Sequence, residues 1–381
     1  MGNIIYRHYK AGDEQQLASL FNIAFQKGGG GVVRTPKSWV WRYVQSPGFE
    51  PDMCQIAEDT NKNMIIGAVY VNLIEKIRIG NREYLVGDIN DVSCHPDYTR
   101  KGIATNLMKK AIKYMQEKGC DFSILSTGYN SFAQKKLYTK LQYKVMDKEI
   151  MFIHFPNILK LIRDIYAFAI LFPAFFIYSY VPRFINRLKI KFHPRFKDFN
   201  FEINYNRKHF EYLKAVNKIL PRFYIGFPKY NKEKFLWSRV EVPSKRFKPT
   251  YIIIKQKGVI IGGAVITHQN FYLCKYGLKI RFGLIHEFFL DKHKFKNKKD
   301  LFLAYSYLID KILKAATQRL LGILIYKSAS KDHDLHRSFR SMNFLKFETD
   351  VMMMKVLKED IKISTFNKPL FIPSYISLGF P

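Results

Sequence analysis

Apolar positions along the first 150 residues change period repeatedly, and each change predicts an element. Residues 4–9 alternate as a strand, 13–26 read as a helix, and SWVWRYV (38–44) as a second helix. CQIAED (54–59) and MIIGAVYVNLIEKIRI (64–79) read as strands turned around NKN, and YLVGDINDVSCH (84–95) as a third. An apolar stripe at Ile103, Leu107, Ala111 and Met115, with Ala104, Met108 and Ile112 alongside, predicts a helix. Gly119 ends it, just after the favourably placed Lys118. FSILST (122–127) is a buried-type strand, followed by a helix near 130–141 and a strand near 143–153. KGGGG (27–31) reads as a turn and not a nucleotide loop, because no GK[ST] follows.

The pattern recurs. WRYVQSP (41–47) is echoed by WSRVEVP (237–243), MIIGAVYV (64–71) by VIIGGAVI (259–266), and YTKLQY (138–143) by FRSMNF (339–344). The offsets are 196, 195 and 201, in the same order. Such agreement predicts two copies of one α/β unit over about 1–150 and 200–358. The expected division is 1–153, a connector 154–199, 200–358, and a tail 359–381 that is apolar and broken by proline.

Inside the connector, IYAFAILFPAFFIYSYV (165–181) has no charge over seventeen residues. Three arrangements fit that composition: a bilayer span, a helix pair lying in a membrane interface, or a buried connector. Basic residues on both flanks (Lys160, Arg163; Arg183, Arg187, Lys189, Lys191) and Pro173 at the midpoint speak against the span.

Composition narrows the partners. Residues 1–150 hold 21 Lys and Arg against 15 Asp and Glu, a balance of +6; the remaining 42 and 16 leave +26 on the second half. That field suits anionic partners such as an anionic membrane surface, and solvated runs such as KHKFKNKK (292–299) contribute to it. No nucleic-acid recognition motif accompanies the charge, so nucleic acid is an unfavoured partner. Cys54, Cys94, Cys120 and Cys274 are far apart, with no CxxC and no His/Cys cluster at metal-ligand spacing. A reduced, cytoplasmic protein without a metal is expected, reaching at most the inner membrane face as a peripheral protein.

The chemistry concentrates in HPDYTRKGIATNLMKKA (95–111). Gly102 and Ala104 remove side-chain bulk where a helix begins, and Arg100 and Lys101 add charge. Unpaired N–H groups at such a start form an anion site. VSCHPDYTRKGIA (92–104) resembles the acetyl-CoA loop of the GCN5-related N-acetyltransferase superfamily, Arg/Gln-x-x-Gly-x-Gly/Ala, preceded by a strand and a proline. Thr99 stands where that family has Arg or Gln, with Arg100 one residue late. YTKLQY supplies Tyr138 and Lys140 of a later signature but has Gln142 for its glycine, and Ser131 fills the usual asparagine place beside Asn130.

The resemblance implies an α/β fold of two tandem acyl-CoA N-acyltransferase-like domains, each a mixed, mostly antiparallel splayed sheet flanked by helices. It implies acetyl-CoA as cosubstrate, its pantetheine on the backbone of Val92, Ser93 and Cys94 and its pyrophosphate on Thr99, Arg100, Lys101, Gly102, Ile103 and Ala104, with Asn130 and Ser131 nearby. Asp88, fourteen residues before the loop glycine, is the implied base, Asp91 the second candidate, and Tyr138 the implied acid. The expected function is acetyl transfer to an amine acceptor by direct attack in a ternary complex. The alternatives are a longer acyl or an aminoacyl donor on the same scaffold, or a non-catalytic membrane- or nucleic-acid-associated protein. In the second copy LIHEFFLDKHKFKNKKD (284–300) has no glycine and Phe339 replaces the tyrosine, so that copy is expected to be degenerate and to help shape the acceptor pocket.

Overall fold

Residues Cys54–Asp59 are buried at every position, as expected of a strand covered on both faces. They form β2 in a computed structural model that describes residues 3–25, 33–79, 82–164, 170, 172–191, 199–206, 208–241, 249–273, 278–358 and 368–371. The first half runs β1 (Ile4–His8), α1 (Glu14–Phe25), α2 (Pro36–Arg42), β2, β3 (Met64–Ile79), β4 (Arg82–Cys94), α3 (Ile103–Glu117) and β5 (Phe122–Gly128). A short π-helical turn (Ala133–Tyr138) and β6 (Lys144–His154) complete it. The helix expected near 130–141 is this wide turn, whose start is capped where Ser131 Oγ accepts from the Gln134 N–H and Gln134 Oε1 accepts from the Asn130 N–H. The KGGGG stretch lies outside the described residues.

Two helices, α4 (Ile158–Asp164) and α5 (Phe172–Lys191), lead to the second half. Pro173 sits in the first turn of α5, where a proline removes no helical hydrogen bond, so the helix begins at this proline. Among the described residues no helix is long and apolar enough to cross a membrane. The same element order then returns as β7 (Phe199–Asn204), α6 (Phe210–Phe223), α7 (Lys232–Arg239), β8 (Thr250–Gln256), β9 (Val259–Leu273), β10 (Leu278–Leu290), α8 (Lys298–Gln318), β11 (Ile323–Ala329), α9 (His333–Ser341) and β12 (Leu345–Val356).

All twelve strands join one sheet, in the order β1-β2-β3-β4-β5-β12-β6-β11-β10-β9-β8-β7. The final strand of each half lies in the sheet of the other: β12 pairs antiparallel with β5, and β6 with β11. The two exchanged strands pair with each other, and Glu149 faces Asp350, the position at which the 201-residue offset maps the pairing onto itself. A pseudo-twofold therefore passes there. It also relates Trp41 to Trp237, whose rings stack at 5.4 Å while each indole N–H donates to the other's carbonyl, at 2.8 Å for Trp237 and 3.4 Å for Trp41. Helix α3 is pressed hard onto the first half-sheet: a Cβ at Gly67 would come within 2.8 Å of Ile103, and one at Gly87 within 2.1 Å of Met115. Gly67 lets the first turn of α3 lie close on β3, and Gly87 lets its last turn lie close on β4.

Candidate active site

The loop before α3 leaves β4 through a 3-10 turn, Pro96–Tyr98, and passes Arg100 and Gly102, both with positive φ (64° and 79°). Gly102 is the N-cap and its hydrogen side chain caps nothing. The N–H groups of Gly102, Ile103, Ala104 and Thr105 consequently have no acceptor among the described residues. Thr99 turns its hydroxyl back to the Pro96 carbonyl at 2.9 Å, and the Lys101 ammonium rests 4.8 Å from the centre of the Tyr98 ring. At the matching place in the second half, Asn297 caps α8 by accepting from the Asp300 N–H at 2.8 Å. That helix start is filled by its own chain, and the α3 start is open.

Strands β4 and β5 pair only from Val86–Ile89 to Phe122–Leu125. Beyond Ile89 they part, so the β5-facing edge of Val92, Ser93 and Cys94 has no ladder partner, while Ser93 and Cys94 stay paired to Ala68 and Gly67 on the other side. The splay starts at a bulge, where Asp91 has φ 49°. The Asp91 carboxylate holds that strained residue: it accepts from the Tyr43 hydroxyl, pairs with Arg34 at 2.7 Å and lies 3.8 Å from Arg42. The bulge recurs 196 residues later at Glu287 (φ 45°), fastened by the buried Arg239. Asp91 is thereby a fastening of the bulge, with its oxygens committed to cations and a phenol.

Asp88 is different. Its side chain is 2% exposed, and among the described residues the Asn90 amide is its hydrogen-bond donor, at 2.9 Å. Burial pushes its carboxyl up to about 7; the Asn90 hydrogen bond and the Arg42 charge pull it down, and the Glu149 charge pushes it up. The carboxyl lines a narrow cavity that lies between the two halves. Ile74, Val86, Phe122, Met352 and Met354 form apolar walls, and Leu370 of the tail closes one side. Ser126 and Glu149 join Asp88 as the polar part of the lining. A smaller recess beside Asp88 is lined by Tyr43, Tyr70 and Trp237, so the second half contributes to it directly.

Tyr138 ends the π-helical turn and is buried, which raises its phenol well above the ordinary range. Its ring meets Tyr143 edge-on at 6.1 Å, and Tyr143 shares a 2.7 Å hydrogen bond with Ser123. The Tyr138 hydroxyl has no such partner among the described residues. Asn130 (φ 58°) donates its N–H to Gln134 Oε1 at 2.6 Å, and Ser131 Oγ accepts from the Gln134 N–H at 3.1 Å, so both shape the turn that carries Tyr138. In the second half Phe339 is fully buried and stacked on Tyr326 at 4.8 Å: a core ring with no proton to give. Among the described residues no group of side chains could hold a metal ion.

An open helix start, a splayed strand pair and a bulge thus lie within residues that match the acetyltransferase (GNAT) domain family, 5–146. Residues 5–146 belong to that domain family. Solved structures extend the likeness, as one of fold, over most of the chain. It aligns with Saccharomyces cerevisiae N-myristoyltransferase, crystallised with myristoyl-CoA, over 93% of this chain and 83% of that one, at 11% identity and a TM-score of 0.67. It aligns with a GCN5-related N-acetyltransferase from Anabaena variabilis over 93% and 73%, at 12% identity and a TM-score of 0.57. At these identities the likeness is one of fold. No characterised protein sequence matches significantly. The acetyltransferase domain over residues 5–146 supports an enzyme of the acyltransferase type.

Sequence reasoning missed Arg34, Arg42, Tyr43, Glu149 and Lys327. Arg42 and Tyr43 stand inside the repeated WRYVQSP segment, which marked them as part of a unit but not as the clasp on Asp91. Glu149 and Lys327 meet only through strand exchange, across 178 residues, and no local spacing signals that.

Proposed function

We propose that the protein transfers an acetyl group from acetyl-CoA to a primary amine, with Asp88 as general base and Tyr138 as general acid. Asp88 carries this reading: a carboxyl held near pH 7 by burial, in a cleft between the halves, is what a base needs to work at neutral pH. The open amides from Gly102 to Thr105 would take the pyrophosphate, with Arg100 and Lys101 adjacent, and the free edge of Val92, Ser93 and Cys94 would pair with pantetheine. Asp88 takes a proton from the acceptor ammonium. The neutral amine attacks the thioester carbon, the C–N bond forms and the C–S bond breaks. The nitrogen's second proton reaches the CoA sulfur by way of Tyr138, leaving amide, free thiol and one proton for solvent on Asp88. The second half, with its capped α8 and Phe339, supplies wall and no chemistry.

The apolar cavity favours one rival, a longer acyl donor such as the myristoyl-CoA bound by the yeast relative. Two carboxyls in its lining argue against that, because a hydrocarbon tail offers them no hydrogen bond. Thiol release with acetyl-, octanoyl- and myristoyl-CoA in the presence of an amine panel decides it. Acetyl-CoA is expected to be turned over fastest; a preference for myristoyl-CoA would overturn the acetyl assignment, and thiol release independent of amine would overturn amine transfer.

A further inference from the structure

We infer that Glu149 binds the acceptor, and that the acceptor is an ammonium group carried on an apolar body. This rests on the acyl-transfer reading and names its substrate class. Glu149 is fully buried in β6, opposite Asp350, where the pseudo-twofold crosses the sheet. Lys327, from β11 and itself 3% exposed, reaches Glu149 Oε2 at 3.1 Å and Asp350 Oδ2 at 2.8 Å. Glu149 Oε1 is left buried without a donor, and the residue lines the same cavity as Asp88. A desolvated carboxylate oxygen without a donor is costly, and a ligand with N–H groups and positive charge removes that cost. The walls between it and the mouth are apolar, so the rest of the ligand is apolar too. A neutral tail would leave Oε1 unpaired, and an acid would meet two carboxyls. The arrangement divides the work: Glu149 holds the cation and Asp88 takes its proton.

The test uses the full chain, acetyl-CoA, and two acceptors, n-hexylamine and 6-aminohexanoate. The intact protein is expected to favour hexylamine at least tenfold in kcat/KM. Glu149→Gln should raise the hexylamine KM about tenfold or more while the acetyl-CoA KM stays within twofold. It should also move the acidic limb of the kcat/KM profile to lower pH, because the Glu149 charge helps to raise Asp88. Glu149→Asp, which keeps the charge, should fall between the two and serves as the probe if the glutamine variant does not fold. An unchanged hexylamine KM with an unmoved limb overturns the inference. A protein that acetylates no amine overturns the acyl-transfer reading itself, and this inference with it.

A different surface carries a second inference: we propose that α5 docks on an anionic lipid bilayer. Its Arg183 and Asn186 face inward, to Asp310 of α8 at 3.3 Å and to Met342 Sδ at 2.9 Å. On the opposite side Ile177, Val181, Phe184, Ile185 and Leu188 recur at helical spacing and are exposed, Phe184 by 64% and Ile177 by 61%. Lys189 flanks that stripe on one side and Arg187, half exposed and paired with Asp310 at 2.9 Å, on the other, and the second half of the chain bears +26. An apolar stripe edged by cations matches acyl chains beneath acidic headgroups. Co-sedimentation should place the protein on vesicles containing phosphatidylglycerol and leave it free of pure phosphatidylcholine. Ile177→Glu with Phe184→Glu should cut the bound fraction at least tenfold and leave thiol release in solution unchanged. Equal binding to both vesicles, or undiminished binding by the double variant, overturns it; so does a dimer of the intact chain that the same variant dissolves.

Discussion

Asp88 is held at a cost to the fold. Its carboxyl moves from 3.8 to about 7 on folding, which corresponds to on the order of 4 kcal/mol at a pH above both values. The sign follows from proton binding. Between those values the folded protein binds more protons than the unfolded chain, so this residue subtracts stability as pH rises through the window. Asp88→Asn should therefore raise the thermal midpoint by a few degrees at pH 8 and change it little at pH 4, while slowing amine-dependent thiol release about 10²–10⁴-fold. A calorimetric scan at both pH values checks the first part; an equal shift at both would show that ionisation is not the cause. Asp88 and Tyr138 could be named as candidates from the sequence because each stands at a fixed distance from a motif on its own stretch of chain. Glu149 was not, since its importance depends on facing Asp350 and Lys327 across an exchanged strand.

At the scale of elements, the α3 start is the part that sequence described best. A glycine at N-cap, a flanking proline and an apolar stripe are local, and local patterns fix local structure. Gly102 has φ 79° and open space around it, so Gly102→Trp adds about 1 kcal/mol of backbone strain but places an indole where the diphosphate is expected. Acyl-CoA affinity by calorimetric titration should fall at least tenfold with the fold intact by circular dichroism; unchanged affinity would remove the phosphate role of the loop. The pattern near 130–141 predicts a helix but not its wide π-helical winding over Ala133–Tyr138, which propensity does not encode. In the connector, Pro173 marks the start of α5, because an N-terminal first turn accepts proline without loss.

For the whole molecule, the repeat was visible in the sequence and the exchange of β6 and β12 was not. Spacing reveals that a strand exists, and says nothing of which edge it completes. The exchange makes the halves interdependent: a chain ending at 153 would leave β5 without β12 and β6 without β11. Such a fragment should fail to unfold cooperatively as a monomer, which denaturant titration at several concentrations would reveal; a stable monomeric fragment would contradict the exchanged topology. The reciprocal Trp41–Trp237 stack ties the halves beside the Asp88 recess. Trp237→Ala is expected to cost about 3–5 kcal/mol of stability and, on the proposed function, to raise the amine KM more than the acyl-CoA KM, because Trp237 lines the recess beside Asp88.

The most direct test is the pH dependence of kcat/KM for acetyl transfer from acetyl-CoA to hexylamine, in the intact protein and in Asp88→Asn. The account predicts a rate that climbs with pH through a limb near 7, and a variant in which both the limb and most of the rate are gone. A variant that keeps the same limb at a comparable rate would contradict it.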